Sequence, residues 1–190
     1  MSTPEDSRIV LSDLVAPMSS EEFITSFPRE FFVHHGDPRR LSAIRSIPQL
    51  RDVRTLAEAY NDAVSMWLPA EAGDEQRSFG ELLRAPDALA HYDRGALLQF
   101  NKVERWVPRL VEILRGLELE LELPVGTATC SLFASTVGGE VFTHLDADPA
   151  FSLQLSGSKR WFVGPQEHID EPLHNHVCGT PAGPIAEYFD

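Results

Sequence analysis

Lysine is nearly missing from this 190-residue chain: Lys102 and Lys159 stand beside fourteen arginines. Positive charge of any kind is short, with 16 basic against 29 acidic residues and a net charge of -13. That balance excludes a protein whose main task is to neutralise nucleic-acid phosphates, and it suits a basic partner or plain solubility equally well. Cysteine is scarce too. Cys130 and Cys178 form no CxxC pair, which excludes a disulfide framework or a cysteine zinc site and predicts two packed thiols in a reducing, cytoplasmic compartment. No run of apolar residues is long enough for a membrane span, and the opening MSTPEDSRIV has neither a basic n-region nor an apolar h-region. The expectation is a protein with no membrane partner and no secretion signal.

Repeats, low-complexity tracts and linkers are also lacking, so residues 1–190 read as a single domain. With 43% hydrophobic and 24% charged residues, the composition is that of a globular chain. A chain of this length buries about 70% of its unfolded surface without help from a metal or a disulfide.

The first part, 1–125, mixes helices and strands. Ser19 and Glu22 have capping-box spacing for a helix that Pro28 ends before the strand-like FFVHH. VRTLAEAYND reads as a helix, AVSMWL as a strand, and Ser78 with Glu81 as a second cap. A helix over Asp87–Asp93 stops at Gly95, and the strand ALLQF follows, with Asn101 capping the approach to the best helical pattern. There Val107, Leu110, Val111, Leu114 and Leu117 recur at helical spacing, while ELELEL suits helix or strand. From 126 the texture becomes that of an antiparallel β region: TATCSLFASTV, VFTH, FSLQL and KRWFV, punctuated by Gly138-Gly139 and Ser-Gly-Ser. The tail from Gly164 is rich in proline and glycine and reads as a long connection.

His-x-Asp can offer an imidazole and a carboxylate to one divalent ion, and the chain has it four times. His35 and Asp37 sit at a turn before Pro38, His91 and Asp93 lie on a helix where neighbours two apart diverge, and His168 and Asp170 fall in the tail. These three read as ordinary turn and surface residues. His144-Leu-Asp146 differs in its downstream neighbours, for the run HLDADPAFSLQLSGSKRWFVGP adds Phe151, Gln154, Gly157, Lys159 and Trp161. Strand alternation places Lys159 and Trp161 on one face and Arg160 and Phe162 on the other. A lysine on an inner face needs an anionic partner; the other reading is an exposed Lys159 with Arg160 inside.

Over about residues 128–165 this run resembles the Jumonji-C (JmjC) and related cupin oxygenases, among them the ribosomal-protein hydroxylases. The resemblance implies an α+β fold with a mainly β core: a double-stranded β-helix, or jelly roll, preceded by a helical N-terminal region. It implies an Fe(II)- and 2-oxoglutarate-dependent dioxygenase that hydroxylates a protein or peptide side chain, with carbon dioxide and succinate as coproducts. His144 and Asp146 would be two of the three iron ligands of a two-histidine, one-carboxylate set. Lys159 would hold the far carboxylate of 2-oxoglutarate, with Thr143 and Ser131 as candidate hydroxyl partners. Demethylation and a small-molecule substrate stay open, as does a homodimer.

The resemblance is incomplete. Residues 126–190 supply only the first half of a roll, and the family's second histidine ligand comes later than this sequence reaches. The primary expectation is therefore a fragment; the others are a partner chain that completes the roll, and substitution by His174 or His176. A catalytically incomplete cupin acting as a binding or assembly module is the rival function, and a cupin isomerase or metal-only sensor a third.

Overall fold

The computed structural model describes residues 9–27, 31–67, 82–139, 141, 144–163, 176–177 and 186–189. Helices α1 (Leu11–Val15) and α2 (Ser20–Ser26) open it, and Ser19 caps α2 as its spacing predicts: Glu22 N–H donates to Ser19 Oγ at 3.2 Å and Ser19 N–H to Glu22 Oε2 at 2.9 Å. Short α3 (Ser42–Arg45) leads to α4 (Val53–Ala59), and α5 (Ala85–Tyr92) precedes Gly95, whose φ of 99° is left-handed backbone that a side chain resists. The longest helix, α6 (Pro108–Glu120), is the one its periodicity predicts. It buries Leu110, Ile113 and Leu117, and takes in the first part of the ambiguous ELELEL.

Strands β1 (Ala63–Trp67), β2 (Leu83–Arg84), β3 (Leu97–Phe100) and β4 (Leu132–Ala134) form an antiparallel sheet in the order β2-β1-β3-β4. Ser65 lies opposite Gln99, and Gln99 opposite Phe133. Two separate ladders come after it: β5 (His144–Leu145) with β7 (His176–Val177), and β6 (Arg160–Val163) with β8 (Ala186–Phe189). The architecture is mixed α+β.

The core corrects one expectation. Among the described residues every buried side chain lies between Ile9 and Glu118, so the interior is helices packed on one face of the sheet rather than mainly β. Val64, Met66, Leu98 and Phe100 point into it, as period-2 alternation requires. On the helical side Leu56, Val103 and Val107 meet them.

Four local readings also change. The strand-like FFVHH alternates in exposure, with Phe32 and His34 half-buried between exposed Phe31, Val33 and His35, yet residues 31–37 join no ladder among the described residues. FSLQL packs Phe151, Leu153 and Leu155 on the core and likewise joins no ladder among the described residues. The Ser-Gly-Ser turn is present, with Gly157 at φ 71°, but KRWFV pairs with β8 and not with FSLQL. The tail, expected to be a connection, supplies β7 and β8. The Ser78 and Glu81 cap, Thr143, His168, Asp170, His174 and Cys178 lie outside the described residues.

Asn101 does not cap α6, whose N-cap is Val107. Its backbone is pinned instead by Tyr60, whose hydroxyl donates to Asn101 O at 2.9 Å and accepts from Asn101 N–H at 3.2 Å. Tyr60 is 4% exposed, and burial raises its pKa above the ordinary tyrosine value. Tyr60→Phe removes the acceptor of a part-buried N–H and should cost about 1–2 kcal/mol, read as a lower urea midpoint with an unchanged slope.

Candidate functional site

The sheet has a second face, turned away from the helices. Alternation puts Ser65 and Trp67 of β1 and Gln99 of β3 on it, with Phe133 beside Gln99 in the ladder and Asn101 and Ser131 just beyond the paired residues. A hydrogen-bonded row crosses this face: Trp67 Nε1–H donates to Gln99 Oε1 at 3.3 Å, Gln99 Nε2–H to Asn101 Oδ1 at 2.9 Å, and Ser131 Oγ–H to the same oxygen at 3.1 Å. Ser131, a candidate from the sequence, thus belongs to a network. Gln99 and Asn101 went unnoticed as site residues; the available signal was their alternation with the buried Leu98 and Phe100.

Lys159 joins this face. Its Nζ lies 5.5 Å from the centroid of the Phe133 ring and 4.6 Å from that of Trp161. Lys159 and Trp161 are half-buried while Arg160 and Phe162 are exposed, so the parity expected from the sequence holds. Among the described residues no carboxylate lies within ion-pair distance of Lys159, and burial pulls its pKa below the ordinary lysine value. Aromatic faces attract an ammonium, by about 0.5–1 kcal/mol at such sites, but they do not neutralise it.

His144 begins β5, and Asp146 stands two residues on, which brings His144 Nε2 within 3.5 Å of Asp146 Oδ2. Both side chains are partly exposed. Among the described residues these two gain no third histidine, cysteine or carboxylate to make a metal-holding group. Of the tail histidines, His176 is the backbone partner of Leu145 in β7, one register position from His144.

Phe151 ties this region to the N-terminal helices, its ring centroid 5.4 Å from that of Phe23 in α2. In the two other described His-x-Asp pairs the carboxylates are engaged locally. Asp37 accepts from Arg39 N–H at 2.9 Å and caps a 3-10 turn at Pro38–Leu41, and Asp93 pairs with Arg54 at 2.6 Å. Cys130 is a free thiol whose pKa burial pushes up to about 11, with the Glu104 carboxylate adding to the effect, as suits a packed residue.

No family model matches the chain. A Bacillus subtilis (strain 168) protein named "Uncharacterized protein YxbC" is 26% identical over 170 residues, which cover 88% of this chain and 52% of that protein. The chain therefore spans about half the length of the curated relative it matches. No helix among the described residues is long and apolar enough to cross a membrane.

Proposed function

We propose that the chain carries part of a JmjC/cupin-type jelly roll and acts as an Fe(II)- and 2-oxoglutarate-dependent dioxygenase on a side chain of a protein or peptide. The observation that carries the reading is Lys159: a half-buried cation facing the sheet with no carboxylate beside it among the described residues. Such a group calls for an anionic ligand. The carboxylate of 2-oxoglutarate answers that need, and the imidazole and carboxylate of His144 and Asp146 suit Fe(II).

The donor set fits the group in kind, with one ligand still to be supplied. Bound iron and 2-oxoglutarate would provide the oxidising chemistry that inserts oxygen into a C–H bond. This chain's share would be placement: His144 and Asp146 would be two of the metal's ligands, and Lys159 would hold the far carboxylate of the cosubstrate. The net charge of -13 suits a basic protein or peptide substrate in the cytoplasm. Among the described residues β4 ends the sheet, and a second copy of the chain could extend it there as a homodimer.

The test is an anaerobic titration of the chain with Fe(II) and 2-oxoglutarate, watching the weak visible charge-transfer band of the chelate. The band should form with the wild type and vanish in His144→Ala. No band in the wild type would favour the rival reading, a binding or assembly module.

A further inference from the structure

The amide of Asn101 has its direction set by its neighbours. Trp67 Nε1 can only donate, so its bond to Gln99 Oε1 turns the Gln99 NH2 toward Asn101. Asn101 Oδ1 then accepts from two donors, Gln99 Nε2 and Ser131 Oγ, which fills both of its lone-pair directions. In such a network the assignment of oxygen and nitrogen is determined, and the NH2 must occupy the remaining side. That NH2 carries two donors and meets no acceptor among the described residues. Tyr60 holds the backbone beneath it on both sides of the residue.

We propose that Asn101 is a ligand-binding residue whose side-chain NH2 donates to a carboxylate oxygen of 2-oxoglutarate, the dianion whose charge Lys159 offsets. The inference rests on the function proposed above and extends it to a residue on another strand. Gln99 lies opposite Phe133, and Lys159 Nζ stands over the Phe133 ring, so the donors and the cation share one face. A face offering N–H donors and an ammonium is complementary to an acceptor-only ligand, and a ligand with hydroxyl hydrogens to place finds less there. Gln99 is a positioning residue in this arrangement, acting through Asn101.

Asn101→Asp separates this role from a structural one. The aspartate keeps an oxygen for Gln99 and Ser131 but exchanges the NH2 for a second anionic oxygen. Calorimetric titration of the full chain with 2-oxoglutarate in the presence of Mn(II) should show roughly tenfold or greater loss of affinity, as for a hydrogen bond to a charged group. Thermal unfolding should stay close to the wild type. Wild-type affinity in Asn101→Asp, with binding lost in Lys159→Met, would overturn the Asn101 assignment and leave the oxygenase reading standing. No binding by the wild type would overturn both. If the variant fails to fold, the Asn101 side-chain amide signals in a 1H–15N spectrum of the wild type decide: a shift on adding 2-oxoglutarate supports the assignment, and unmoved signals overturn it.

Discussion

Lys159→Met should abolish 2-oxoglutarate binding, by about a hundredfold or more in affinity, while leaving the urea midpoint unchanged or slightly raised. The two halves of this expectation have one cause. Without ligand, the ammonium is half-buried against Phe133 and Trp161, with its pKa drawn down by burial and no carboxylate among the described residues to offset it. Removing an uncompensated cation relieves desolvation, and the methionine keeps the packing of the stem and a contact with the rings. With ligand, the same cation becomes one partner of a charge pair, and truncating it strands the other. Lys159→Arg retains the charge but needs room for a planar fork, so an intermediate loss is expected. Calorimetry and urea denaturation on the same preparations check both halves. A drop in stability with affinity intact would make Lys159 a packing residue and remove the main support for the oxygenase reading.

Helices were the legible part of this sequence because their signals are local. The Ser19 cap, the stop at Gly95 and the apolar stripe of α6 each depend on residues within a few positions of one another, and all three form. Ladders were less legible, for a reason that segments 31–37 and 151–155 make plain. Alternation records which side of a segment meets the core, and 31–37 alternates while 151–155 packs Phe151, Leu153 and Leu155 on it; whether a neighbouring strand supplies hydrogen-bond partners is a long-range fact. The same limit hid β8 as the partner of β6. In the candidate site, Lys159, His144 and Asp146 could be singled out because they stand in one short run. Gln99 and Asn101 could not, since their meaning depends on the register that sets β3 against β1 and β4, and on amide directions that only a hydrogen-bond network determines.

Glu118→Ala should cost about 3 kcal/mol, among the largest single effects on stability in the helical half. Glu118 sits in α6 at 1% exposure, inside the run whose alternation suited helix or strand. Its Oε1 accepts from Gly126 N–H at 2.8 Å and Ala128 N–H at 2.9 Å, and so holds the segment that carries the chain from α6 toward Ser131 and β4. Alanine leaves two part-buried donors without an acceptor, whereas Glu118→Gln retains an oxygen for both and should cost about 1 kcal/mol. The backbone donors of Gly126 and then Ala128 hold the Glu118 carboxyl below the ordinary glutamate pKa of 4.5. Linkage sets the sign: a carboxyl whose pKa is lower folded than unfolded adds stability that is complete above the unfolded value and is lost as pH falls through the folded one. Wild-type stability should therefore decline below about pH 4.5 with a component that Glu118→Gln lacks. Urea midpoints for the two proteins between pH 7 and pH 3 measure it, and parallel curves would show that the clamp does not depend on the charge. Because the clamped segment leads to Ser131, whose hydroxyl fills one side of Asn101 Oδ1, Glu118→Ala should also loosen the amide network on the sheet's second face. Its 2-oxoglutarate affinity would then fall with its stability, in contrast to Asn101→Asp, where affinity falls alone.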